Sequence, residues 1–156
     1  MSSAQSLPEW FQSRINTIYT ASDDAARTAA LDALLSPAVS VQHNEETLDA
    51  QEIRQRVHAQ TAASARTDVK WNRAEETSPG QLEGQYVLTV SSKFRVRAAP
   101  MQRFITVDFA ATVAEDPYVQ GDDKRRVVSL KEQEEIKQAP IHLARIPQQG
   151  EQGNNE

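Results

Sequence analysis

The hydrophobic positions of this chain alternate most regularly between Leu82 and Glu115. Apolar residues occupy every second position on either side of a turn at Arg97-Ala98-Ala99-Pro100, which predicts two long antiparallel strands. One face of the first strand carries Tyr86, Leu88, Val90, Ser92, Phe94 and Val96, and one face of the second carries Ile105, Val107, Phe109, Ala111 and Val113. Each strand therefore has one strongly apolar face and one mixed face, as in a sheet that packs on one side.

Three helices are predicted before this hairpin. Ser6 and Glu9 form a capping box, and an apolar stripe at helical spacing then runs to Tyr19. The second helix starts at Ser22-Asp23-Asp24 and ends at Ser36-Pro37, because the residue before a proline disfavours the helical conformation. The third is capped by Asp49 and runs to about Ala65.

Further strands are predicted around these elements. Ala38 to His43 forms a short strand with Val39, Val41 and His43 on one face, and a strand around Val69 precedes a turn at 77–80. After a loop at 116–123, residues 125–136 form a last long strand with Val128 and Leu130 inward, although the acidic run 132–135 fits a helix about as well. Residues 141–146 form a short closing strand.

Length and composition narrow the function classes. The 156 residues suit one domain, which we expect to span residues 7–146 between a disordered N-terminus (1–6) and a disordered polar tail (147–156). The net charge of -5 argues against a general nucleic-acid binder, and no apolar run is long enough to span a membrane. The chain has no cysteine and three histidines, so we expect no metal site and no cofactor. With no signal peptide visible, a cytoplasmic location is expected.

The element order predicts an α+β fold in which three N-terminal helices pack on a curved, mainly antiparallel sheet, leaving a cone with an internal cavity. The two N-terminal helices, the strand AVSVQHNEETL leading into the helix DAQEIRQRV, and the long strands that follow resemble the NTF2-like superfamily, with the SnoaL-like branch nearest. The resemblance covers roughly Leu7 to Ile146 and is greatest for small fungal proteins, some of them from secondary-metabolite pathways. It implies a cone-shaped barrel and homodimerisation through the sheet.

His43 and Tyr19 are the candidate catalytic residues. An imidazole that faces an apolar cavity can act as acid or base near neutral pH, and the phenol could donate a hydrogen bond there. The alternatives are a structural histidine bonded at a strand end and a core tyrosine with its hydroxyl at the rim. The acid and base sets that isomerases and dehydratases of the superfamily need are incomplete, because the apolar strand faces carry no carboxylate and Asp108 lies on the opposite face.

Aromatic residues predict where a ligand binds, since small-molecule pockets are mainly apolar with few polar groups. The candidate ligand-binding residues are Trp10, Phe11, Trp71, Tyr86, Ser92, Phe94 and Phe109. A filled core would use the same residues.

Two surface features complete the prediction. Lys93, Arg95, Arg97 and Arg103, with Arg125 and Arg126, could bind an anion or could protect a solvated sheet edge. The mixed sheet face, with Val87, Thr89, Phe104, Thr106, Ala110 and Val127, is apolar enough to suggest a homodimer interface.

The leading functional prediction is a protein that binds a small apolar molecule, without nucleic-acid or membrane partners. The first alternative is a cofactor-independent isomerase, cyclase or dehydratase of a polyketide or terpenoid pathway that uses His43 and Tyr19. The second is a protein-interaction module that uses the outer sheet face.

Overall fold

The computed structural model describes residues 5–62, 64–96, 99–119, 121 and 123–138. The helices are α1 (Leu7–Thr20), α2 (Asp24–Leu34) and α3 (Ala50–Ala62). The strands are β1 (Leu35–His43), β2 (Glu46–Leu48), β3 (Ser64–Ser78), β4 (Gln81–Val96), β5 (Ala99–Glu115) and β6 (Arg125–Gln138). The predicted turn residues Arg97 and Ala98, the predicted strand at 141–146 and the tail lie outside the described residues.

The strands form one sheet in the order β2-β1-β6-β5-β4-β3. β1 and β6 are parallel, and the other neighbouring pairs are antiparallel. The three helices contact this sheet, and one continuous core of buried apolar residues joins them to it. The predicted α+β class, with helices on a mainly antiparallel sheet, is confirmed.

The helix starts follow the predicted capping. The Ser6 hydroxyl accepts a hydrogen bond from the Glu9 backbone N–H, and the Glu9 carboxylate accepts one from Ser6 N–H, both at 3.3 Å. Asp49 and Glu52 form the same reciprocal pair at the start of α3, with N···O distances of 2.8 and 3.0 Å. These caps satisfy backbone donors that a helix leaves without partners.

Several predicted boundaries need correction. α2 passes directly into β1 at Leu35, so the first strand begins three residues before Ala38, and α3 ends at Ala62 rather than near Ala65. β2 was not predicted. It pairs with β1 after a tight turn in which Asn44 and Glu45 have positive φ angles of 48° and 71°. Residues 125–138 are a strand and not a helix, because they pair along most of their length with β5.

The inward residues of β6 also differ from the prediction. The register between β5 and β6 shifts between Thr112 and Val113, so one residue of β6 is bulged out of the ladder. Val127 is therefore completely buried, whereas Val128 is only half-buried. Val127 belongs to the core and not to the outer sheet face, where it had been expected.

Gly84 lies at a close approach between strands and rings. It pairs with Ala74 of β3, next to a register shift between Trp71 and Arg73 that bends the sheet. A Cβ atom at this position would overlap the Arg73 carbonyl and would come within 2.8 Å of the Phe109 ring. Only glycine fits this contact without displacing backbone.

Asp123 connects α1 to the start of β6. Its carboxylate accepts hydrogen bonds from Trp10 Nε1 at 2.9 Å, Arg14 Nη2 at 3.0 Å and Arg125 Nε at 3.2 Å. Burial alone would raise the pKa of this carboxyl, but the hydrogen bonds and charge of Arg125, with Arg14, lower it to about 2. Asp123 is therefore ionised at neutral pH and anchors the first helix.

We expect Gly84→Ala to lower the free energy of unfolding by about 1–3 kcal/mol, because the added methyl group overpacks a site bounded by backbone. Urea unfolding followed by tryptophan fluorescence measures the change. Glu83→Ala, at the exposed neighbouring position, is the control and should change stability by less than about 0.5 kcal/mol. Equal unfolding midpoints for Gly84→Ala and the wild type would contradict the close approach.

We expect Asp123→Asn to lower the free energy of unfolding by about 1.5–3 kcal/mol at about pH 6, since hydrogen bonds to a charged group are lost. The native pKa lies below the ordinary value, so this contribution is complete above that ordinary value and disappears as pH falls towards about 2. Urea unfolding across this pH range should show the unfolding free energies of the wild type and the variant converging as the pH falls. Asp68→Asn, in an exposed ion pair, is the control, and a pH-independent difference for Asp123→Asn would contradict the assignment.

Candidate functional site

The end of β1 and the middle of β6 bring three ionisable side chains together inside the fold. His43 is 3% exposed, and its Nδ1 lies 3.1 Å from Glu132 Oε1 while its Nε2 lies 3.3 Å from Glu134 Oε1. The parallel pairing of the strands sets His43 opposite Glu132, and Glu134 follows two residues later on the same face. We call this group the His43 triad.

The triad shifts the proton affinities of its members. The hydrogen bond to Glu132 raises the pKa of His43, although burial opposes this shift. Burial raises the pKa of Glu134, and His43 partly offsets that rise. The charged imidazole can donate from both ring nitrogens, one to each carboxylate. Glu134 is then a carboxylate with increased proton affinity, held in place by the histidine, which is the property required of a general base near neutral pH.

Tyr19 and Tyr86 face the same interior space as the triad. Tyr19 is partly buried and Tyr86 is 2% exposed. Burial, with the negative charges of Glu132 and Glu134, raises the pKa of each phenol. Both hydroxyls therefore stay protonated at physiological pH and can donate hydrogen bonds, but neither can serve as a base.

The space between these groups is small. A cavity of about 40 Å³ is bounded by the two tyrosines, the His43 triad and part of each helix. Its lining residues are Ile15, Ile18, Tyr19, Leu31, Leu34, Leu35, His43, Ile53, Arg56, Val57, Gln60, Tyr86, Leu130, Glu132 and Glu134. Small-molecule pockets usually measure about 300–1,000 Å³, so this cavity alone has room for about one water molecule.

An open groove adjoins this cavity. It measures about 350 Å³ and is lined by Arg56, Ala59, Gln60, Arg103, Ile105, Glu134 and Ile136. Arg56, Gln60 and Glu134 border both spaces. We call it the Arg103 groove. Glu134 is thus the member of the triad that meets a space large enough for a small molecule.

Most of the aromatic candidates form a packed cluster away from this cavity. Phe11 stacks on Phe109 with a ring-centroid distance of 4.7 Å, and Trp71 lies 4.8 Å from Tyr86. Trp71 also meets Phe109 edge-on at 6.0 Å. Of these four residues, Tyr86 lines the cavity and the other three do not. They fill the interior that the curved sheet encloses.

The remaining candidates lie elsewhere. Trp10 is completely buried and donates to Asp123, so it fixes α1 and does not line the cavity. Ser92 is half-buried on β4 and is likewise not part of the cavity lining. The side chain of Phe94 lies outside the described residues. The structure therefore brings together His43, Tyr19 and Tyr86, and leaves the other described candidates apart from them.

Sequence reasoning missed both carboxylates of the triad. The apolar strand faces were predicted to carry no carboxylate. This prediction is wrong for β6, because Glu132 and Glu134 lie on its inward side after Leu130. The alternation Leu130-Glu132-Glu134 was visible. It could not be used because the same acidic run also fits a helix. Asp108 does lie on the outer face as expected, where it accepts a hydrogen bond from Gln85 at 2.8 Å.

Two other ionisable groups lie away from the cavity. His58 pairs with Thr28 Oγ1 at 3.2 Å and with Asp24 Oδ1 at 3.6 Å. Arg125 belongs to the Asp123 cluster near α1, and so does not join Arg103 in one cationic cluster. Within the described ranges, no group of acidic and histidine residues is arranged to hold a metal ion. No described helix is long and apolar enough to cross a membrane.

No family model matches the sequence, and no curated protein matches it. Solved structures do match. A candidate SnoaL-like polyketide cyclase from Jannaschia sp. CCS1 is 8% identical with a TM-score of 0.56, covering 86% of this chain and 91% of that one. IdmH, a candidate polyketide cyclase from Streptomyces antibioticus, is 11% identical with a TM-score of 0.56. The match covers 79% of this chain and 90% of IdmH.

A hypothetical protein with a ketosteroid isomerase-like fold from Catenulispora acidiphila gives a similar result. It is 12% identical with a TM-score of 0.54, and the match covers 81% of this chain and 85% of that one. Identities this low establish the fold and leave the activity to be argued from the site. The chain has the NTF2-like fold, which is the fold that the resemblance in its sequence implied.

Proposed function

We propose that this protein is a cofactor-independent enzyme that transfers a proton on a small, mainly apolar carbonyl compound, as an isomerase or cyclase does. The observation that carries the proposal is the His43 triad. Its members are nearly buried, yet Glu134 borders a groove that can hold a ligand. Ionisable groups with shifted pKa values beside a groove are the usual mark of an active site.

Simple binding of an apolar molecule explains the same interior less well. The cavity of about 40 Å³ cannot enclose a drug-sized molecule, because the aromatic cluster fills the cone. The ligand would therefore lie in the Arg103 groove, with its reactive carbon towards Glu134. Binding remains a part of the proposed function, but its place is the groove and not the aromatic interior.

The proposed reaction assigns one role to each group. Glu134 takes a proton from the carbon next to the carbonyl; the electron pair of that C–H bond forms a C=C bond, and the π pair of the C=O bond moves to the oxygen to give an enolate. Gln60, which borders both the groove and the cavity, donates a hydrogen bond to that oxygen, whereas Tyr19 lines the cavity and not the groove. Where the substrate has a C=C bond next to that carbon, the enolate is a dienolate; Glu134 returns the proton to its far carbon and the C=O bond re-forms, which completes an isomerisation with the C=C bond moved by one position. His43 orients Glu134 and Glu132 orients His43, so both are positioning residues. Proton transfer is thus assigned to Glu134, and not to His43 and Tyr19 as in the alternative that the sequence suggested.

The neighbours in the fold agree with this class of chemistry. Two of them are described as candidate polyketide cyclases and a third as ketosteroid isomerase-like. Because of these neighbours, we also propose a role in secondary metabolism. A cytoplasmic location is also proposed, from the sequence alone.

We expect the protein to accelerate exchange of the α-protons of 2-tetralone for deuterium in D2O, measured by NMR. Glu134→Gln should reduce this rate by about 10²–10⁴-fold, because a general base contributes that much. The rate should rise with pH through a pKa above the ordinary value for glutamate, since the base must be ionised and its native pKa is raised.

Glu135→Gln is the matched control, because Glu135 is the neighbouring acid on the same strand and its side chain is 71% exposed. It should leave the rate unchanged. Wild-type exchange no faster than the buffer blank, or equal rates for Glu134→Gln and Glu135→Gln, would contradict the proposal.

We also propose that two copies associate through the outer sheet face. Phe104 is 36% exposed there, between Thr89 of β4 and Lys137 of β6. Phe104 and Thr89 lie beside the half-buried pair Val87 and Thr106 on the same face, and a contiguous patch of this kind favours an interface. The same surface supports the alternative of a protein-interaction module.

We expect the wild type to be a dimer at micromolar concentration and Phe104→Glu to be a monomer, because a charge would be buried without a partner. Size-exclusion chromatography with light scattering measures both. Tyr118→Glu, at an aromatic that is 90% exposed in the loop before β6, is the control and should remain a dimer. A monomeric wild type would contradict the dimer and would favour a different protein on this face.

A further inference from the structure

The Arg103 groove has two arginines on its walls and Glu134 at one side. Arg56 is already paired, because its Nη2 lies 3.0 Å from Glu46 Oε1. Arg103 has no ion pair and no side-chain hydrogen bond to any residue that the structure describes. The groove therefore offers one uncommitted positive charge beside the proposed base.

Arg103 differs from the other arginines whose side chains the structure describes. Every other arginine whose side chain is described donates to a carboxylate or to a backbone carbonyl; these are Arg14, Arg27, Arg54, Arg56, Arg66, Arg73, Arg125 and Arg126. Arg103 is also only half-exposed, so bulk water does not fully surround it. Its planar guanidinium can donate two parallel hydrogen bonds to a carboxylate.

Gln60 supplies a second, independent observation. Its Nε2 is buried without a hydrogen-bond partner among the described residues, and the residue borders both the groove and the cavity. A buried donor without a partner is costly and uncommon in native proteins, so such a group points to a missing acceptor. Nε2 is closed off in the present side-chain conformation, and a rotation of Gln60 into the groove would bring it to a ligand oxygen beside Glu134.

We propose that the substrate is a small keto acid. Its carboxylate binds to Arg103, its keto oxygen accepts from Gln60 Nε2, and its apolar part contacts Ile105 and Ile136. The carbon between these anchors then lies beside Glu134. This inference rests on the proposed proton transfer for the role of Glu134, whereas the anion site itself stands on Arg103 and Gln60.

A single uncommitted guanidinium favours a single negative charge. The other cation of the groove is engaged by Glu46, and Glu134 contributes a negative charge when it is ionised. A dianion such as phosphate would meet one free cation and one nearby carboxylate, and this balance is unfavourable. A monoanionic carboxylate on an apolar body fits the charge and the apolar walls together.

The test uses two probes, 2-tetralone and its 6-carboxylate, which differ by one negatively charged carboxylate group. Isothermal titration calorimetry should show that the wild type binds the carboxylate at least about tenfold more tightly than the neutral ketone, since hydrogen bonds to charged groups are worth this much. Arg103→Gln should remove the preference and leave the affinity for the neutral ketone unchanged. Arg73→Gln, at an exposed arginine of β3, is the control and should keep the preference for the carboxylate.

Calorimetry does not depend on turnover, so the two proposals can fail separately. If Arg103-dependent carboxylate binding occurs without deuterium exchange, the anion site stands and the enzymatic proposal fails. If exchange occurs but the wild type shows no carboxylate preference, or Arg103→Gln retains it, the keto-acid inference is overturned. Unfolding midpoints equal to that of the wild type confirm that the variants are folded, and Arg103→Met, which also removes the positive charge, provides a second variant if Arg103→Gln is unstable.

Discussion

The burial of His43 between two carboxylates is the constraint on which the polar interior depends. Removing an ion from water costs several kcal/mol unless partners replace its hydration, and here each member of the triad supplies that replacement for another. The three side chains are 3%, 11% and 15% exposed. Removing His43 alone would leave two neighbouring carboxylates without the cation between them, so the histidine holds the geometry of the group.

The backbone holds the same residues in place. Asn44 follows β1 with a positive φ of 48°, a conformation that asparagine tolerates better than most residues. Its N–H donates to the Glu132 carbonyl at 2.9 Å, and its side-chain oxygen accepts from the Glu134 N–H at 2.7 Å. The turn therefore extends the parallel pairing past the end of the strand. Side chains held by locked backbone in this way keep the geometry that a reacting group needs.

Much of the fold could be predicted because its signals are local. The capping residues Ser6 and Asp49 start helices by hydrogen bonds within four residues, and the alternation around Tyr86 and Ile105 identifies strand faces directly. The site could not be predicted in the same way. Glu132 and Glu134 become interior only because β6 pairs with β1, which lies nearly ninety residues earlier in the chain. A bulge near Val127 also changes the phase of the strand, and no local pattern indicates where it falls.

The aromatic cluster and the ionisable groups occupy different parts of the interior. Phe11, Trp71 and Phe109 pack together between α1 and the strands β3 and β5, and the ionisable groups lie beside a separate, nearly filled cavity. An open groove excludes water less completely than a closed cavity, and electrostatic stabilisation of a transition state is correspondingly weaker there. The positive charges of His43 and Arg56 compensate in part, because both lower the pKa of Glu134 and so stabilise its ionised form. A site of this kind favours substrates whose protons are already acidic, because the enzyme then has less of the barrier to remove.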